Sequence, residues 1–160
     1  MSGIGEPSGG KAPGELAAEA LWFFAHTFIS LVVYVAMLMA IQVIKPGPLL
    51  QSPFLLATLL ALVVPGVVGY IIALIWPNVI ARYVWIFGVI YFSIVCVYVL
   101  DLPTGPGLCE HCTAVTKLWY TLITFKSGLL YGSGNALGTW PALANIGYAI
   151  GAKFGLKQNS

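Results

Sequence analysis

From Ala20 to Ile44 the chain is apolar apart from His26, Thr27, Ser30 and Gln42. A helix needs about 20 such residues to cross the hydrocarbon of a bilayer. The run is too long for the apolar core of a signal peptide, and acidic residues rather than basic ones precede it. It therefore reads as an uncleaved first span. Lys45-Pro46-Gly47-Pro48 ends it, because proline removes a backbone donor and excludes helix before it. Only 8% of the 160 residues are charged and 59% are hydrophobic, whereas a soluble domain carries about 25% charged residues. This excludes a soluble globular domain, a disordered regulator and a secreted disulfide scaffold. Seven Lys+Arg spread along the chain make no basic patch, so nucleic acid is not an expected partner. A net charge of +2 selects no other.

The same pattern predicts an all-α membrane protein, a bundle of four transmembrane helices. Residues 1–18 form a polar N-terminal segment and residues 157–160 a short tail. Between them, 19–156 read as one bundle, with spans at about 20–44, 54–76, 80–100 and 140–156. Glu15 and Glu19 suit the positive end of the first helix. Asp101-Leu102-Pro103-Thr104-Gly105-Pro106-Gly107 breaks the chain after the third span. In 101–139 the charges Asp101, Glu110, His111, Lys117 and Lys126 exclude a crossing. Leu118, Leu122, Phe125 and Leu129 recur at helical spacing, with Lys117, Thr121, Thr124 and Gly128 on another side, which predicts an amphipathic interfacial helix. Thr139 reads as the N-cap of the last span, with Pro141 in its first turn. That span is short, and Lys153 can snorkel from it. Trp22, Trp76, Trp85 and Trp140 fall at span ends, where the interfacial belt places them.

Two stripes of small residues run along the spans. Ala57, Ala61, Pro65, Gly69 and Ala73 repeat every fourth residue in span two. Gly147, Gly151 and Gly155 do so in span four, as overlapping G-x-x-x-G units. In lipid, close backbone approach along such stripes drives helix association. They can join this chain to a partner or to a second copy, or pack spans two and four on each other. Pro65-Gly66 is expected to kink span two.

Few residues can carry chemistry. Cys109-Glu110-His111-Cys112 is a C-x-x-C unit, compatible with a disulfide, a redox dithiol or half of a metal site. Zinc would need Cys109, Cys112 and His111 with Glu110 or Asp101. Adjacent ligands without a second C-x-x-C match closed zinc sites poorly, so no metal is expected. His26 lies inside span one, on a stripe with Glu19 and Trp22. An intramembrane ionisable residue is a functional hypothesis by default: a ligand to a pigment or haem, or a proton relay. The alternative is a histidine bonded to a carbonyl or a headgroup. His26 and His111 should sit at opposite ends of the bundle, which excludes a haem held by both. No motif specifies a cofactor, and spans two to four hold no acid between their ends, which disfavours a cation-coupled carrier.

The reading that remains is a small integral membrane subunit or scaffold. It would associate through its small-residue helix faces, with no catalysis of its own. Membrane thiol–disulfide exchange through Cys109 and Cys112 is one alternative; an oligomeric channel or carrier is another. The expected partners are the bilayer and a membrane protein or further copies of the chain. Lys11, Arg82, Lys153 and Lys157 against Lys45, Lys117 and Lys126 give a slight positive-inside bias. It points to a bacterial inner membrane with the N-terminus in the cytoplasm.

Overall fold

A computed structural model describes residues 12–43, 53–124 and 127–158. Helix α1 spans Pro13–Val43, α2 Pro53–Ile75, α3 Trp85–Asp101, α4 Ala114–Leu122 and α5 Trp140–Gln158. No strand occurs among the described residues. The turn between α2 and α3 is a 3-10 segment, Val79–Tyr83, started by the Asn78 side chain accepting from the Ile80 amide at 2.9 Å. The Lys45–Pro48 breaker lies outside the described residues.

Three helical stretches are long and apolar enough to cross a membrane: Pro13–Ala40, Leu55–Ile75 and Val79–Asp101. Only 17 to 28% of each stretch is buried within the protein. Leu21, Phe24, Phe28, Met39, Ile75 and Val97 are all more than 60% exposed. A surface this apolar is far larger than a monomer exposes to water. The outward faces are made for lipid.

α5 is built differently. It is rich in glycine and alanine, and most of it is buried. It sits against α1, α2 and α3 together. Its direction follows from which residues meet. A Cβ added at Gly147 would fall 2.0 Å from the Leu62 carbonyl oxygen, one at Gly151 1.8 Å from that of Gly66, and one at Gly155 2.7 Å from that of Tyr70. Both helices advance by four residues per contact, so α5 runs parallel to α2. Against α3 the order reverses. Val84 packs in the core near Ala149, Gly88 lies against Ala142 and Asn145, and Val95 lies against Gly138. α1 is antiparallel to α5 as well, with His26 at Tyr148 and Tyr34 near Ala144.

The two small-residue stripes therefore serve one interface inside this chain, offset from simple face-to-face pairing. Gly147, Gly151 and Gly155 meet the Leu62, Gly66 and Tyr70 row. The adjacent row of α2 is buried in the core: Ala57, Ala61 and Ala73 are at most 3% exposed, Pro65 is fully buried, and Gly69 lies on the Tyr148 carbonyl. α2 continues through Pro65.

Two local expectations are corrected. Thr139 is not an N-cap. It ends a π-helical turn, Asn135–Thr139, that leads directly into α5, and its hydroxyl donates to the Leu122 carbonyl at 2.7 Å. The helix of the 101–139 segment is also shorter than its apolar spacing implies. α4 ends at Leu122 and buries Lys117, Thr121 and Leu122, while Val115 and Trp119 are 78% and 55% exposed. Phe125 and Lys126 lie outside the described residues.

Lys117 accounts for the buried polar side of α4. Its Nζ donates to the carbonyls of Leu100 at 2.8 Å and Leu102 at 2.5 Å. The last carbonyls of a helix have no partner of their own and form its negative dipole end. The ammonium caps α3 and thereby pins α4 to it. Thr121 donates to Ser127 Oγ at 2.8 Å, and Ser127 Oγ in turn accepts from the Leu129 amide at 3.2 Å. Replacing Lys117 by Met keeps the stem and leaves two carbonyls without their donor. Loss of such charge-assisted bonds costs about 2 kcal/mol. Limited proteolysis of Lys117→Met in detergent should show faster cutting in the 102–113 loop than in the native protein. Unchanged cutting would mean that the cap does not hold the loop.

Candidate functional site

Two places collect polar side chains. The first is the α1–α5 seam. His26 and Ser30 are one turn apart on α1 and are 2% and 0% exposed. Asn145 and Tyr148 are three residues apart on α5, and both are fully buried. His26 Nδ1 and the Tyr148 hydroxyl are hydrogen-bonded at 2.7 Å. The Trp22 ring leans on His26 at 5.9 Å between centroids, and its other neighbour is Trp76, edge-on at 5.6 Å. The expected Trp22–His26 stripe is therefore formed. The bond to Tyr148 replaces the carbonyl or headgroup considered as partner for His26.

Other polar groups here are tied to the backbone. Asn145 Nδ2 donates to the Pro141 carbonyl at 2.8 Å, and Thr27 donates to the Phe23 carbonyl at 2.8 Å. Tyr34 donates to the Ala136 carbonyl at 2.5 Å, linking α1 to the π turn. Trp140 Nε1 donates to Thr58 Oγ1 at 3.0 Å, joining α5 to α2. His26 Nε2, Ser30 Oγ, Asn145 Oδ1 and both polar atoms of the Asn135 side chain are buried without a hydrogen-bond partner. Buried polar atoms are nearly always satisfied, by protein or by ordered water. Three of these atoms, His26 Nε2, Ser30 Oγ and Asn145 Oδ1, lie in the seam; Thr124 Oγ1 is a further such atom outside it.

The second place is the loop between α3 and α4, at the opposite end of the bundle from His26. A short antiparallel bridge between Gly105 and Leu108 opens it. Cys109 and Cys112 form a disulfide with their Cα atoms 5.4 Å apart. Cys109 and His111 both have left-handed backbone, at φ 59° and 61°, a region that costs an ordinary L-residue about 1–2 kcal/mol. Cys109 is buried, Cys112 is half-buried, and Glu110 and His111 are exposed. Cys96 is a free thiol within α3. The described residues contain no group of three or more His, Cys, Asp or Glu able to hold a metal ion.

No protein-family model, curated protein or solved structure matches this chain. The residues themselves carry the functional argument.

Sequence reasoning named His26, Cys109, Cys112 and His111, and the fold keeps the two groups apart. It missed Ser30 as part of the His26 face, although the i, i+4 spacing was visible. It also missed Lys117 as a buried cap, since nothing local marks a lysine that reaches back to carbonyls 15 and 17 residues earlier.

Proposed function

We propose that this chain is a small integral membrane subunit or scaffold that crosses the bilayer four times, with α5 as the fourth crossing. The supporting observation is the placement of α5. It runs parallel to α2 across the depth from Thr58 to Ala73 and is antiparallel to α1 and α3. A helix lying alongside a membrane-crossing neighbour over that length crosses with it. α5 can be the least apolar of the four because α1, α2 and α3 shield it from lipid. Single-cysteine variants Gly105→Cys and Gln158→Cys, made without the native cysteines, test this with a membrane-impermeant maleimide. Under the proposed topology only one of them is labelled in intact cells, and both are labelled once the cells are opened. Labelling of both in intact cells would count against the fourth crossing.

The same reading puts the N- and C-termini together, in the cytoplasm of a bacterial cell, and the Cys-bearing loop outside.

The subunit role needs an outward contact. The main small-residue rows are used within the chain, but one part of their edge stays open. Val63, Gly66, Val67, Ile150, Gly151 and Phe154 line an apolar groove along the α2–α5 seam. Glycines in its floor allow close approach by another membrane helix. A Val67→Cys variant in native membranes should form a disulfide-linked dimer, or a crosslink to a co-purifying protein, on mild oxidation. A monomer in gentle detergent with neither product would overturn the subunit reading.

A further inference from the structure

We propose that Cys109–Cys112 is an exchangeable disulfide that reacts through Cys112 with a dithiol protein on the water side of the loop. Three features point to this, beyond the anchoring role of the bundle. The first is access. Cys112 is half-buried, whereas Cys109 is buried. The residue before it, Leu108, faces an apolar hollow formed with Tyr98, Leu102, Pro103 and Leu129. Cys112 is therefore the more accessible of the two residues to an attacking thiolate.

The second is electrostatic. Cys112 directly precedes Thr113, the N-cap of α4, whose side chain accepts from the Thr116 amide. The free amides of a helix N-terminus favour a thiolate beside them. The third is conformational. The C-x-x-C ring contains two non-glycine residues in left-handed backbone, Cys109 and His111. Opening the ring removes one constraint on both residues.

The chemistry balances without a further reagent. A partner thiolate attacks Cys112 Sγ, and the Cys109–Cys112 bond breaks with its electron pair on Cys109 Sγ. Cys109 takes up a proton, which leaves a mixed disulfide between the partner and Cys112. The partner's second thiolate then attacks its own sulfur in that bond and releases Cys112, the better leaving group because its thiolate is stabilised. The partner dithiol is oxidised by two electrons to a disulfide. The Cys109–Cys112 pair is reduced by the same two, and the two partner protons end on this pair. The reverse reaction with a partner disulfide restores it.

The test uses the oxidised full chain in nanodiscs. Reduced glutathione is added as a monothiol attacker, free thiols are blocked with N-ethylmaleimide, and the peptides are mapped by mass spectrometry. The expected product carries glutathione on Cys112 and maleimide on Cys109. Glutathione on Cys109, or a pair that stays oxidised in the folded protein and is reduced only after denaturation, would overturn the proposal. As a second readout, in a Cys96→Ser background, the Cys112 thiol of Cys109→Ser should react with 5,5′-dithiobis(2-nitrobenzoic acid) at pH 7 about tenfold faster than the Cys109 thiol of Cys112→Ser. Equal rates would also overturn it. If either variant misfolds, the glutathione map of the native chain decides alone.

Discussion

Gly151→Ala should abolish stable packing of α5 in the bundle. A single methyl there would fall 1.8 Å from the carbonyl oxygen of Gly66, 2.7 Å from its carbonyl carbon and 3.0 Å from the Tyr70 amide nitrogen. All three are backbone atoms of α2, so no side chain can turn aside. The helices must separate by an ångström or more along a seam that brings together three glycine contacts. Overpacking of a core costs about 1–3 kcal/mol where neighbours can shift. Here they cannot shift without unseating Gly147 and Gly155, and the cost should reach or exceed ~3 kcal/mol. Gly14→Ala is the control, because nothing lies within 4 Å of the added methyl and the residue is helical. Thermal unfolding in detergent, followed by tryptophan fluorescence, should give a large drop for Gly151→Ala and none for Gly14→Ala. Similar unfolding of both would mean that α2 and α5 do not approach this closely.

The same seam explains which parts of the fold could be read from residues alone. α1, α2 and the stretch from Val79 to Asp101 face outward over most of their surface, so their lipid-compatible composition marks them in the chain. α5 is enclosed by the other three, and its signal is glycine spacing rather than hydropathy. The stripes were legible as contact surfaces. Their register was not, because a one-residue offset between rows depends on helix rotation. α4 was misread for a different reason. Its apolar spacing continued through Phe125 and Leu129, whereas α4 ends at Leu122, and nothing local shows that Lys117 turns inward to supply a donor at the end of α3. Likewise the disulfide was visible as C-x-x-C spacing, while the burial difference between its two residues depends on tertiary packing. The partner of His26 is 122 residues away, and no local pattern pairs them.

That pairing leads to a second expected result, in which Tyr148→Phe is more damaging than His26→Leu. Removing the Tyr148 hydroxyl leaves both ring nitrogens of His26 without a partner in a buried site, since Nε2 already has none. An orphaned buried polar group costs about 1–3 kcal/mol. His26→Leu removes both nitrogens and orphans only the tyrosine hydroxyl, while leucine still fills much of the space against Trp22. Its cost should fall near the lower end of the same range. The double variant has neither polar group, so its cost should be smaller than the sum of the two by about 1 kcal/mol or more. Denaturant titration in detergent can follow all four proteins, with Trp22 beside the substituted ring as a local reporter. Additive costs would show that the bond contributes nothing to stability. If His26→Leu were neutral or stabilising in the native Tyr148 background, His26 would be retained at a net stability cost. That outcome would shift its role from packing to chemistry, where Nε2, Ser30 Oγ and Asn145 Oδ1 offer spare hydrogen-bonding sites in the same seam.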